Sequence, residues 1–288
     1  MVGTFDFISS VGFHGKSVTV LVRPSRIAAL LTLAMATSLL PSTLSAAASK
    51  ATTTTSTTTT VPQPIKLPAN GHVKILVAGD SLGTDLAGGL GWQLSKSKDV
   101  SLIQKGKSST GLSNSGYFNW PQHLKKYLEQ YHPQLVIVFL GGNDEQGIEA
   151  NGHAYQPYTP GWRTQYAKAV ASMMNEAVNA GSAMLWVGMP IMYPNQYRQG
   201  MQVINSIFAS VAKTKSHVTF LPTWKFFAGS NGQFRFNASV NGKVQLIREP
   251  DGIHPSAVGQ NVLATYIIKE IHLLYGLHVS AAYPEVFT

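Results

Sequence analysis

The chain has 288 residues, 44% of them apolar and 12% charged, with no cysteine and a formal net charge of +9. That length allows one large domain or two small ones, and the apolar fraction supports a core, which excludes a fully disordered chain. Without Cys there are no disulfides, thiolate zinc sites, iron–sulfur clusters or cysteine nucleophiles, and a single short apolar stretch does not make a multi-span membrane protein.

Arg23 and Arg26 precede the apolar run Ile27–Leu40, which is followed by Pro41 and then Ala46-Ala47-Ala48. A basic n-region, a short h-region and small residues at a cleavage site describe a secretory signal peptide. The run of 14 residues falls short of the ~20 that span a bilayer. Retained as an anchor, the same segment would make a membrane a partner. Residues 1–48 are therefore read as leader. Residues 49–67 carry a low-complexity Thr/Pro tract that cannot bury enough surface to offset its ordering entropy, and they are read as a linker. A leader followed by a tether predicts that the domain, residues 68–288, works outside the cytoplasm: secreted, periplasmic or cell-wall associated. Lys16, Arg23, Arg26, Lys50 and Lys66 against Asp6 put +4 of the net charge before residue 68, so the domain keeps +5.

From His72 strands and helices alternate. Val73–Ala78 is a short strand, and a helical pattern runs from Asp85 to about Lys96. Val100–Ile103 is a strand, Trp120–Tyr131 a helix, and Leu135–Leu140 a strongly apolar strand. A helix over Trp162–Ala180, a strand over Ala183–Val187, a helix over Gln196–Ala212 and a strand over Val218–Leu221 follow. Asn241-Gly242 between two short runs signals a hairpin, and the last helix starts near Pro255 and ends before Gly276. Continuous apolar strands separated by helices predict a three-layer α/β/α sandwich around a parallel sheet.

In open α/β sheets, sites form in the loops after the carboxyl ends of the strands. Gly79-Asp80-Ser81-Leu82 follows the first strand, Gly111 lies after the second, and Gly141-Gly142-Asn143-Asp144 follows the third. Asp251-Gly252-Ile253-His254-Pro255 precedes the last helix. Ser81 reads either as a helix N-cap or as a nucleophile. Its surroundings match Gly-x-Ser-x-Gly, but the α/β-hydrolase elbow needs strands before the serine, and here it follows the first. Asp251 three positions before His254 can orient one imidazole nitrogen and leave the other for a serine. Asn143 either stabilises a turn or turns its amide into the cleft as an oxyanion donor. Gly106 competes with Gly111 for the same role, and either can serve only a turn.

With these four motifs in order, the chain resembles the SGNH, or GDSL-type, hydrolase superfamily. Ser108-Ser-Thr-Gly-Leu112, Asn119-Trp-Pro121, Trp186-Val-Gly-Met-Pro190 and Arg248 make it similar to the extracytoplasmic bacterial subgroup DUF459. The resemblance implies a flavodoxin-like sheet of about five parallel strands. It implies Ser81 as nucleophile, His254 as base and Asp251 as its orienter. It implies an oxyanion hole from the Ser81 amide, the Gly111 amide and the Asn143 side chain, with no metal and no organic cofactor. Asp80 and Asp144 would hold loop geometry.

The expected function is a secreted or envelope-tethered serine esterase acting on O-acyl groups, O-acetyl above all, of cell-wall or extracellular carbohydrate. An O-acyltransferase on envelope glycans is the nearest alternative, and a catalytically silent envelope-binding protein is another. Expected partners are a small-molecule or glycan ester and, through the residual positive charge, an anionic envelope polymer. The Lys and Arg residues are scattered, with no basic-aromatic cluster, which argues against nucleic acid.

Overall fold

A computed structural model describes residues 71–279, 281, 282 and 287. The leader and linker expectations, residues 1–67, lie outside the described residues. Five strands, β1 (Val73–Gly79), β2 (Val100–Gly106), β3 (Leu135–Phe139), β6 (Ala183–Val187) and β7 (Val218–Leu221), pair in parallel in the order β2-β1-β3-β6-β7. That is the flavodoxin-like order, in which the chain reverses direction across the sheet after β2. Right-handed crossovers then put α1 (Ser81–Gln93) on one face, where it packs on α6 (Ala257–Tyr275). The same handedness puts α2 (Trp120–Tyr131), α3 (Pro160–Asn179) and α4 (Asn195–Ala212) on the other, where α3 contacts both neighbours.

The expected strands are found, and the differences have physical causes. Every residue of β3 is buried, as a central strand covered on both faces requires. β2 runs three residues past the expected end, through Gln104 and Lys105, because an edge strand alternates partly buried and exposed positions and tolerates polar ones. α1 starts at Ser81 rather than Asp85, since Asp80 caps it by accepting the Leu82 N–H. The hairpin forms as β8 (Asn237–Val240) and β9 (Lys243–Leu246). A second hairpin, β4 (Ile148–Ala150) with β5 (His153–Tyr155), was not expected. It turns at Asn151-Gly152, both with positive φ, the same chemistry as Asn241-Gly242. A further short helix, α5 (Trp224–Phe227), follows β7. Among the described residues no helix is long and apolar enough to cross a membrane.

α1 contains four glycines after Ser81, so its stability comes from packing rather than propensity. Gly89 explains one of them: a Cβ there would lie 2.5 Å from the Gln260 carbonyl oxygen on α6, so the two backbones meet directly. Gly88 faces outward, where a Cβ would meet only the Gln260 amide oxygen at 3.5 Å. Gly89→Ala should therefore lower stability by about 1–3 kcal/mol through overpacking, while Gly88→Ala should be neutral or gain up to about 1 kcal/mol. Urea unfolding of the two variants beside the parent checks this, and equal effects would contradict it.

Candidate active site

β1 ends at Gly79 because nothing larger fits: a Cβ there would stand 1.9 Å from the Phe139 carbonyl oxygen of β3. The chain then turns into α1, putting Ser81 in its first turn, where backbone N–H groups have no intrahelical acceptor. Asp80 is fully buried beneath it. Its Oδ1 accepts the Leu82 N–H at 2.9 Å, and Oδ2 accepts the Gly141 and Gly142 N–H groups at 3.0 and 2.9 Å. One carboxyl thus joins the loop after β1 to the loop after β3.

His254 sits on the loop before α6, and its Nε2 lies 2.8 Å from the Ser81 hydroxyl. Its Nδ1 lies 2.6 Å from Asp251 Oδ2. Asp251 Oδ1 accepts the N–H groups of Ile253 and His254 at 2.8 and 3.0 Å, so this carboxylate also folds its own loop. Burial pushes Asp251 up, but the His254 hydrogen bond and the two backbone donors outweigh it and hold the carboxyl below the usual range. The three side chains expected from sequence are thus brought into one hydrogen-bonded line.

Asn143 donates through Nδ2 to the Thr110 carbonyl at 2.9 Å, which bridges the loops after β3 and β2. An amide has two N–H donors, so this bond fixes its plane and uses one of them. Thr110 is itself held, accepting the Trp120 indole N–H at 2.9 Å and donating to the Lys107 carbonyl at 2.5 Å. Gly111 is buried in that loop, where a Cβ would come within 2.2 Å of Asp144 Oδ1. Gly106, the competing glycine, is exposed at the end of β2 against Thr84.

Asp144 is buried and accepts the Ser113 N–H and hydroxyl, both at 2.8 Å, and the Tyr166 hydroxyl at 2.7 Å. Both acidic residues therefore hold loops, as expected for them.

Sequence reasoning missed Asp85 and Tyr193. Asp85 lies one helical turn after Ser81 and accepts the Gln260 amide at 3.2 Å; burial pushes it up to about 6. Tyr193 is 51% exposed and rests on Gly252 between Asp251 and His254. The spacing Ser81 to Asp85 could have flagged the first; no local signal marks the second. A cavity of about 500 Å³ lined by Lys125, Pro133, Glu176 and Ser182 lies at the opposite, amino-terminal ends of β3 and β6. Among the described residues no group of three His, Asp or Glu side chains could hold a metal ion.

This sheet order, with its site at the strand ends, is the fold of SGNH hydrolases. It is shared with a putative acylhydrolase from Bacteroides fragilis at a TM-score of 0.52 and 14% identity, covering 74% of this chain and 92% of that one. It is also shared with a GDSL-like lipase from Bacteroides thetaiotaomicron at 0.50 and 16%, covering 72% and 92%. No curated protein matches the chain. Residues 74–270 match the family described as protein of unknown function (DUF459), and the chain belongs to that family.

Burial dominates Asp80 and pushes its carboxyl up to about 7, against the three N–H donors and with added repulsion from Asp144. The native state thus keeps this proton after the unfolded chain has released its own near pH 4, so stability should fall as pH rises from about 4 to 7. Asp80→Asn removes the titration and should flatten that slope while lowering stability overall. Urea midpoints at several pH values check it; an unchanged slope would refute the assignment.

Proposed function

We propose that this protein is a secreted or envelope-tethered serine esterase of the SGNH type, acting on O-acyl and above all O-acetyl esters of extracellular or cell-wall carbohydrate. The observation that carries the reading is the line Asp251–His254–Ser81, with bonds of 2.6 and 2.8 Å, at the carboxyl end of β1. The names of the two proteins that share the fold, an acylhydrolase and a lipase, are in keeping with an ester substrate.

In this mechanism His254 Nε2 takes the Ser81 proton as the hydroxyl oxygen attacks the ester carbonyl. Asp251 holds the imidazole in the tautomer that leaves Nε2 free, and stabilises the imidazolium as it forms. The carbonyl oxygen becomes an oxyanion, received by the Ser81 and Gly111 backbone N–H groups and the second N–H of Asn143. The tetrahedral centre then collapses: the acyl–oxygen bond breaks, the leaving alcohol takes the proton from Nε2, and the acyl group stays on Ser81. Water attacks the acyl carbon next, its proton going to His254 Nε2; the bond to Ser81 then breaks, the Ser81 oxygen takes that proton back, and the acid is freed. A sugar hydroxyl in place of that water would make the same site a transferase.

The test is hydrolysis of a short-chain aryl acetate. Ser81→Ala should lose on the order of 10⁶ in kcat, and Asn143→Ala about 10²–10³ with the nucleophile intact. Equal activity of parent and Ser81→Ala would overturn the reading. The exported protein should begin just after Ala48 by N-terminal sequencing; an intact leader would replace secretion by anchoring.

A further inference from the structure

When an ester is opened by a serine and a histidine, the two halves of the substrate part in opposite directions. The acyl carbon goes to Ser81 Oγ, while the leaving oxygen must lie within reach of His254 Nε2 to receive its proton. The alcohol half therefore occupies the histidine side of the site, and what it touches there is the surface that reads it.

Beside the loop that carries Asp251 and His254 the surface is aromatic. Tyr193 ends the loop after β6, and its N–H donates to the Gly252 carbonyl at 3.2 Å. A Cβ on Gly252 would come within 2.8 Å of Tyr193 Cβ, so the tyrosine lies directly on the Asp251–His254 loop. Phe234 and Phe236 back its ring at centroid distances of 5.8 and 6.3 Å and stand edge to face with each other. The loop is pinned from below by Arg248, fully buried, whose guanidinium donates to the Ile191 carbonyl and lies 5.6 Å from the Phe234 ring. Arg198 pins the rim: its Nε donates to the Met192 carbonyl and its Nη1 to Gln233 Oε1 at 3.1 Å. Two segments 40 residues apart are thus locked into one shelf, and its exposed member is Tyr193.

We propose that Tyr193, backed by Phe234 and Phe236, is a subsite for the alcohol half of the ester, and that the alcohol it fits is a pyranose ring. This rests on the esterase reading above. The fit is chemical. A sugar ring has a face of C–H groups that packs on an aromatic ring and an edge of hydroxyls that needs polar partners. Tyr193 supplies the first, and its phenol, Arg198 and Gln233 supply the second.

The experiment holds the acyl group constant and changes the alcohol. Parent, Tyr193→Ala and Tyr193→Phe are compared on ethyl acetate and on a monoacetylated methyl pyranoside. The ratio of kcat/KM values, pyranoside over ethyl, should fall about tenfold or more in Tyr193→Ala, through KM, and mostly recover in Tyr193→Phe. Ser81-dependent turnover with an unchanged ratio would overturn the subsite and leave the esterase reading standing. The acetate of a long-chain alcohol is measured beside them: a ratio to ethyl acetate that falls in Tyr193→Ala for this ester and not for the pyranoside would overturn the sugar subsite in favour of a lipid one. Absence of Ser81-dependent turnover of either ester would overturn the esterase reading itself. The shelf is then read by binding of the unacetylated methyl pyranoside to Ser81→Ala, followed by NMR. Shifts lost in Ser81→Ala/Tyr193→Ala support it, and identical spectra refute it.

Discussion

A buried carboxyl group holds the site together. Asp80 lies at the junction of β1 and α1, and accepts hydrogen bonds from the start of its own helix and from two glycines at the end of β3. A lone carboxylate in a protein interior is costly unless donors surround it. Here three backbone N–H groups converge on it, and all three belong to turns that would otherwise have no shared reference point. Ser81 is the next residue in sequence, and Asn143 follows the second glycine. The relative position of a hydroxyl and an amide from different strands is therefore set through one side chain. Asp144 repeats the device one layer out, tying Ser113 and Tyr166 to the same loop. Burial raises both carboxyls, and Asp144 adds to the cost of ionising Asp80.

Much of this was legible from sequence, for identifiable reasons. β1, β3 and β6 are central strands buried on both faces, and such strands must be continuous apolar runs. Ser81, Asp251 and His254 were legible because each sits in a short motif at a strand end or helix start. Other features had no such signal. Each strand of β4 and β5 is three residues long and only Ile148 is buried, too little for an alternation to register. Gly111 and Gly106 look alike in sequence, and only the carboxyl of Asp144 against Gly111 separates their surroundings. Tyr193 meets Gly252, Phe234 and Phe236 across 40 residues or more, a contact that periodicity cannot express.

Arg248 illustrates how a charge can serve as framework. It is fully buried between the Phe227 and Phe234 rings, at 5.1 and 5.6 Å, and burial lowers it to about 10 without removing its charge at neutral pH. The planar guanidinium offers ring faces and N–H edges together, so it can stack on aromatics while bonding the Ile191 carbonyl. Lysine could do one of these but not both. The same residue adjoins the isolated bridge from Arg248 to Pro255, which puts it at the root of the loop that carries Asp251 and His254.

Ser81 and His254 are 173 positions apart, yet they meet because α1 and α6 lie against each other. On a ribosome, the hydroxyl emerges well before the imidazole. Four of the five sheet strands, β2, β3, β6 and β7, are synthesised in between. The Ser81–His254 hydrogen bond therefore cannot form until the strands between them have been made and the loop before α6 has docked. The topology works as a timer: the pairing of Ser81 with His254 waits on completion of the fold.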